Sequence, residues 1–439
     1  MSAAHEHAPG VLYAYVETLV DAACTHPRVF LAMTTFVLYI TACNALRFRR
    51  AKGMHRQHDH TYTDRASFAS MTANDAQAIL ATIQQREFPF MHTLAIEFGI
   101  FKTYGIPAIS RLVGATRQVT DPVLAAKRAA DTLVILTEIM VNPPTSARSL
   151  QALARMNYLH SKYVNAGQIR NGDLLYTLSA CFTEPIRFIE RYEWRALTDV
   201  ERCALGVFWK EVGENMGISY EDVEGHREWR DGLDFVDDVT AWARTYERNE
   251  MKPHPANIPP AHRFAALLLL LVPPFLRPFA LEAISVLMSD RMREAFSFAD
   301  PGLAAILLVY GTLAVRRFVE RYLMLPRFGA HRVTSEHADP VTGRVHLSEY
   351  LAHPWYIEPN VWNRWGPIAL LKHFTGGVVP GDLRGHKEEE LKKGGPTYLP
   401  EGFLVSDLGP FNTMGVGKDE TAAEVERLKT MRAAGCPFG

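Results

Sequence analysis

The stretch from Val29 to Leu46, VFLAMTTFVLYITACNAL, carries no charged residue. As a helix it would extend about 27 Å at roughly 1.5 Å per residue, close to the hydrocarbon thickness of a bilayer. Arg28 precedes it, whereas Arg47, Arg49, Arg50, Lys52 and Arg56 follow. Positive charge gathers on the cytosolic side of a span, so the chain after it is expected in the cytosol. A cleaved signal peptide and a buried core helix are the rival readings. The long, weakly basic lead and the basic cluster afterwards favour an uncleaved anchor. The expected organisation is a short lumenal segment (1–28), a transmembrane helix (29–46), a basic and polar linker (47–73), a helical body (74–383) and a C-terminal extension packed on it (384–439).

Composition narrows the body. Lys and Arg total 47 against 48 Asp and Glu, a formal charge of −1, which removes the electrostatic reason to expect a nucleic-acid partner. Apolar residues make up 48%, too many for a disordered chain. The five cysteines, Cys24, Cys43, Cys181, Cys203 and Cys436, form no C-x-x-C pair, so neither a disulfide framework nor a covalent haem attachment is indicated. The linker histidines His55, His58 and His60 read as solvated rather than as a metal cluster.

From about Asn74 the apolar spacing is helical: TANDAQAILATIQQREFP, DPVLAAKRAADTLVILTEIM, TSARSLQALARMNYLHSKYVNAG. No sustained alternation marks a sheet, and Pro-Pro pairs at 143–144, 259–260 and 273–274 punctuate the helices. The fold class is mainly α, a single large helical domain behind the anchor. Phe264–Leu276 and Leu303–Val315 are further apolar runs. The second would span about 20 Å as a helix, short for a bilayer. Both are expected as core helices, with shallow membrane insertion beside a lipid-like substrate's entrance as the alternative. TAAEVERLKTMRAAG near the end reads as a last amphipathic helix.

Two helices carry candidate chemistry. Pro143-Pro144-Thr145-Ser146 is a helix start and Gly167 a stop. Between them Leu153, Asn157, His160 and Val164 share one side, so His160 lies in a mostly apolar stripe. A histidine there is either a hydrogen-bonded core residue or a rigidly held axial ligand. On the preceding helix, opened by Asp121-Pro122, Arg128, Asp131, Thr132 and Ile135 share a face. Arg128 and Asp131 either neutralise each other or, with Thr132, orient oxygen and move a proton over a greasy cavity.

Several unusual words occur in order: REFPF at 86–90, FKTYGIPAISRL at 101–112, KRAADT at 127–132, ARMNYLHSKY at 154–163, YTLSACFTEPIRFIERYEWRAL at 176–197 and the closing GCPFG. In these the sequence resembles the MpaB family of fungal membrane-bound oxygenases, which shares its catalytic domain with the latex-clearing rubber oxygenases. The rubber oxygenases' R-L-R-x-x-H-like haem-ligand motif is matched by Arg155-Met156-Asn157-Tyr158-Leu159-His160, with Asn157 in place of the second Arg. Their R-x-x-K-T pattern is matched by Arg128-Ala129-Ala130-Asp131-Thr132, with Asp131 in place of the Lys that can approach iron.

The resemblance implies a haem-binding helical domain with b-type haem held by His160, Arg155 near a propionate, and Arg128, Asp131 and Thr132 as catalytic residues. It further implies dioxygen as co-substrate, oxidative cleavage of a C=C bond in an isoprenoid or prenylated molecule of fungal secondary metabolism, and single-pass residence in the endoplasmic reticulum membrane with the catalytic domain in the cytosol. Partners are then the isoprenoid and membrane lipid. Lys102 and Tyr104 are candidate pocket residues. His331, His337 and the tryptophans Trp194, Trp209, Trp229 and Trp242 are expected in structural or surface roles. A tethered haem- or isoprenoid-binding protein without turnover is the alternative. The absence of Glu-x-x-His disfavours a di-iron bundle, and the absence of Gly-x-Ser-x-Gly or a P-loop disfavours hydrolase and nucleotide chemistry.

Overall fold

The computed structural model describes residues 25–57, 60–382 and 398–432. Most of the expected lumenal segment, His58, all of 384–397 and the closing GCPFG lie outside these. The chain divides into two compact units: the residues up to Gly53 with Val315–Pro326, and Met54–Ala314 with Arg327 onward.

In the first unit, α1 runs Pro27–Gly53 and buries only Cys43 and Arg47. It extends past the uncharged run at both ends because Arg47, Arg49, Arg50 and Lys52 are good helix formers, and Arg50 and Lys52 complement the negative pole of its C-terminus. It is the one helix among the described residues long and apolar enough to cross a membrane. The segment Val319–Leu323 packs along it: the Tyr39 hydroxyl donates to the Leu323 carbonyl at 2.9 Å, and the Arg321 guanidinium lies 5.0 Å from the Phe48 ring centre. Arg47 donates to the Met324 carbonyl, which accounts for its burial.

The second unit is helical. Its helices include α2 (Ala73–Thr82), α3 (Pro89–Thr103), α4 (Pro107–Ala115), α5 (Pro122–Val141), α6 (Ala147–Asn165), α7 (Asn171–Tyr192), α8 (Asp199–Asn215), α9 (Gly232–Glu250), α10 (Ile258–Leu268), α11 (Leu303–Phe318, ending in the first unit) and α12 (Lys418–Arg432). The only sheet among the described residues is a ladder of two two-residue strands, β1 (Arg56–Gln57) and β2 (His60–Thr61). The linker is therefore partly folded: Met54, Tyr62 and Phe68 are buried, and the Tyr62 hydroxyl donates to Asp75 at 2.6 Å.

Local signals place the ends. Thr198 and Glu201 form a capping box for α8, Ser146 caps α6 by accepting from the Ser149 amide, and Gly167 leaves α6 at φ +66°. The core is layered as α3 on α7, α2 on α8, α8 on α9, α5 on α6, and α6 on α12. Glycines allow the closest approach, because a Cβ on Gly206 would fall 2.0 Å from the Gly232 carbonyl oxygen.

Two expectations change. α10 stops at Leu268, before Pro273-Pro274, and the run ends with Phe275 and Leu276 exposed. In α11 only Ala305 is buried, while Leu303, Leu307 and Leu308 face outward. The first run is core over its helical part, where Phe264, Ala265 and Leu267 are buried, and leaves it only past the prolines; in α11 apolar content suggested core, but its outward face meets no neighbour among the described residues.

Candidate active site

The second unit encloses a cavity between α3, α5, α10 and the loop 331–353. Its walls are mostly apolar, including Ile96, Ile100, Leu133, Leu136, Phe264, Leu267 and Leu351. Polar groups on its lining include Arg128 and Thr132 from α5, His92 and Glu97 from α3, Tyr104 beyond it, and His331. Arg128 and Thr132 are one turn apart and so share a side of α5. The Thr132 hydroxyl donates to the Arg128 carbonyl at 2.7 Å, which fixes its rotamer. No ion pair or side-chain hydrogen bond engages the Arg128 guanidinium among the described residues.

Asp131 does not line this cavity, and the expected Arg128–Asp131 pairing is not formed. The carboxylate is fully buried on another side of α5, about 100° round from Thr132. It accepts from Lys127 Nζ at 2.7 Å, the Tyr356 hydroxyl at 2.6 Å and the Gly409 amide at 3.0 Å. Burial raises the Asp131 carboxyl and lowers the Lys127 ammonium, and their mutual attraction opposes both shifts. Asp131 is thus a packing anchor between α5 and the C-terminal segment.

Arg155 is also reassigned. Its guanidinium is wholly buried and donates to four carbonyls, those of Leu408 at 2.9 Å, Val416 at 2.6 Å, Ser406 at 3.1 Å and Thr413 at 2.7 Å. Four of its five N–H donors are committed to one loop, which leaves a single Nη1 hydrogen and no bidentate face for a propionate. Asn157, where the rubber oxygenases have an Arg, donates to the Asn215 carbonyl at 3.0 Å and to Glu424 at 2.7 Å, docking α12 on α6.

His160 keeps a different character. Its ring is half-buried, Nδ1 is sealed from solvent without a partner, and among the described residues no hydrogen bond reaches either nitrogen. Burial first, and the Arg128 cation second, push its pKa down to about 4, so the imidazole is neutral at physiological pH. It does not line the cavity itself; Arg128, which lines the cavity, is the charge that reaches it electrostatically. No group of three or more His, Cys, Asp or Glu side chains is arranged to hold a metal ion among the described residues, so His160 is a lone donor. A neutral imidazole held by a helix with unbonded nitrogens has the character of a residue that would hold a haem iron.

Among the cavity's polar groups not foreseen from the sequence, three ionisable ones bear most on its chemistry. His92 is buried with Nε2 unpartnered, and burial pushes its pKa down to about 4. Glu97 is pushed up to about 7 by burial and then by the charge of Glu349. His331, expected to be structural or surface, lines the cavity with Nε2 3.4 Å from Glu349. A histidine and a glutamate inside the apolar stretch FMHTLAIEF were the available signal. Of the candidate pocket residues Tyr104 lines the cavity, whereas Lys102 is tied to Glu184 at 3.0 Å and Glu247 at 2.6 Å.

Residues 105–320 match the family model described as "ER-bound oxygenase mpaB/B'/Rubber oxygenase, catalytic domain". The chain is 38% identical over 402 residues to "ER-bound oxygenase mpaB'" of Penicillium brevicompactum, covering 91% of this chain and 92% of that protein. The chain belongs to the MpaB/rubber oxygenase family. It is also 37% identical over 348 residues to "ER-bound oxygenase mpaB" of the same fungus, covering 79% of this chain and 82% of the relative. The MpaB/rubber oxygenase match takes in Arg128, Thr132 and His160, and begins after His92 and Glu97. Membership in the MpaB/rubber oxygenase family makes the protein an oxygenase, with dioxygen as the co-substrate that class implies.

Proposed function

We propose that this oxygenase is haem-dependent and cleaves a C=C bond of an isoprenoid or prenylated substrate, adding one dioxygen across the double bond to leave two carbonyl groups. One observation carries the reading: His160, held by α6 with neither ring nitrogen bonded, stands close enough to the uncommitted Arg128 cation to feel its charge. When bound, haem b would supply the iron chemistry that activates dioxygen. His160 would hold the iron, and its depressed pKa keeps a lone pair available near neutrality. Arg128 supplies positive charge in a low-dielectric chamber, where negative charge developing during the reaction is most strongly stabilised. Thr132, locked onto the Arg128 carbonyl, holds its methyl and oxygen in one orientation. The apolar walls take a prenyl chain and exclude water.

The relatives are named ER-bound, and α1 is the candidate span. The excess of basic residues at the C-terminal end of α1 over its N-terminal end favours a cytosolic second unit. A prenyl chain partitions into the bilayer, so tethering raises its supply to the cavity.

The test is the absorption spectrum of detergent-purified protein beside His160→Ala. A Soret band in the first, lost or markedly shifted in the second, is expected. An unchanged spectrum in the variant rejects His160 as ligand, and correctly folded protein without haem rejects haem chemistry. Oxygen uptake with a prenylated substrate separates turnover from mere binding.

A further inference from the structure

The second unit carries an apolar surface that the cavity chemistry does not use. Beyond Pro359 the chain makes two short helices, Val361–Trp365 and Pro367–Thr375, joined at Gly366. Asn360 and Asn363 cap the first reciprocally at 2.9 Å, and Gly376 at φ +78° closes the second. The pair is therefore a defined structure, and its exposed side chains are held outward. Phe374 is 94% exposed, Trp362 76%, Ile368 71% and Trp365 62%, with Leu370 and Leu371 exposed beside them. Isolated apolar residues on a surface mean little, but a cluster of this size marks a contact surface.

The composition indicates what it contacts. Between Val361 and Thr375 no acidic residue occurs; Arg364 is exposed, while Lys372 is buried against Tyr350. Exposed tryptophans one turn apart with an arginine between them are the chemistry of the lipid headgroup boundary. Trp365 stacks on His373 with 5.6 Å between ring centres, which places an aromatic and a basic heterocycle together. The chain also keeps its own second unit near a bilayer wherever α1 is inserted, because Met54 follows directly on the end of that helix.

The surface adjoins the cavity. Lys372 Nζ lies 3.3 Å from the Tyr350 ring centre, and Tyr350 is a cavity wall residue. Gly377, just past the second helix, backs onto Leu271, at the start of the turn that leads to exposed Phe275.

We propose that residues 361–375 form a membrane foot that sits in the headgroup and upper acyl region of the bilayer beside the cavity. Its use as the entrance for a prenyl chain rests on the proposed reaction; the foot itself does not.

The full chain, reconstituted in vesicles of phosphatidylcholine and phosphatidylserine, can be probed with acyl chains brominated near the headgroup. Trp362 and Trp365 are two of seven tryptophans. Quenching by brominated over unbrominated lipid is expected in the wild type, lost in W362F/W365F and kept in W242F. Equal quenching in wild type and W362F/W365F overturns the foot. Lipid-shielded Trp362 and Trp365 in a chain that cross-links to a second copy through this face overturns it too, in favour of a dimer contact. H160A should quench like the wild type whether or not haem is bound, so failure of the haem reading leaves this result distinct.

Discussion

The ammonium of Lys127 lies 2.7 Å from the carboxylate of Asp131 one turn further along α5, with both side chains shut off from water. The same ammonium donates to the Gly409 carbonyl at 2.8 Å, and the carboxylate accepts from the Gly409 amide. The pair therefore pins the helix that presents Arg128 and Thr132 to the C-terminal segment.

Removing one partner strands the other charge in the interior. Asp131→Asn and Lys127→Met are each expected to lower stability by about 3 to 5 kcal/mol, and the double replacement by less than the sum. Thermal unfolding in detergent, arranged as a double-mutant cycle, measures this. Additive losses would show that the two side chains do not act together.

Arg155 should prove structural. Arg155→Met leaves four carbonyls of the 406–416 segment without their donor and is expected to cost at least about 3 kcal/mol. Limited proteolysis should cut that segment faster while any bound haem stays with the folded fraction. Selective haem loss without loosening of the segment would contradict the assignment.

The crossing of α8 and α9 depends on the absence of a side chain. Gly206→Ala drives a Cβ into the Gly232 carbonyl and is expected to cost about 3 kcal/mol, since backbone cannot step aside. Gly114→Ala, in α4 with open space around it, is expected to be neutral or stabilising by up to about 1 kcal/mol. Comparing the two melting temperatures checks both.

Acid stability should report the two α3 groups with opposite sign. His92 is neutral when folded down to about pH 4, whereas the unfolded residue gains its proton near 6.5, so its contribution falls as pH drops through that window. The loss amounts to about 3 kcal/mol at the acid end. Glu97 keeps its proton when folded up to about pH 7 against 4.5 unfolded, so its contribution falls as pH rises. Between about pH 4.5 and 6.5 the two oppose each other. His92→Leu should flatten the acid decline, and Glu97→Gln should raise stability near neutrality. Parallel melting curves against pH for both variants and the wild type would rule out this assignment.

Much of the site was legible because the signals were local. The start of α6 at Ser146, its stop at Gly167 and the one-turn spacing of Arg128 and Thr132 all follow from helix capping and the helical repeat. Asp131 was misread because two partners lay one turn away on the same helix, Arg128 at three residues and Lys127 at four, and helical spacing alone did not choose between them. His92 and Glu97 were overlooked because an apolar helix reads as core, whatever polar groups it turns toward a cavity.

Backbone hydrogen bonding, side-chain propensity and charge-free length are properties of neighbouring residues, and from these the chain alone settled its helical class, the candidate span and the placing of His160 on an apolar helix face. Partner choice belongs to the folded state. Arg155 finds its acceptor at Leu408, 253 residues away, and Asp131 finds Tyr356 at a separation of 225. Periodicity also left undetermined whether an apolar face such as that of α11 meets another element or faces outward. Burial is a relation between segments distant in sequence, so those assignments emerged only when the helices packed.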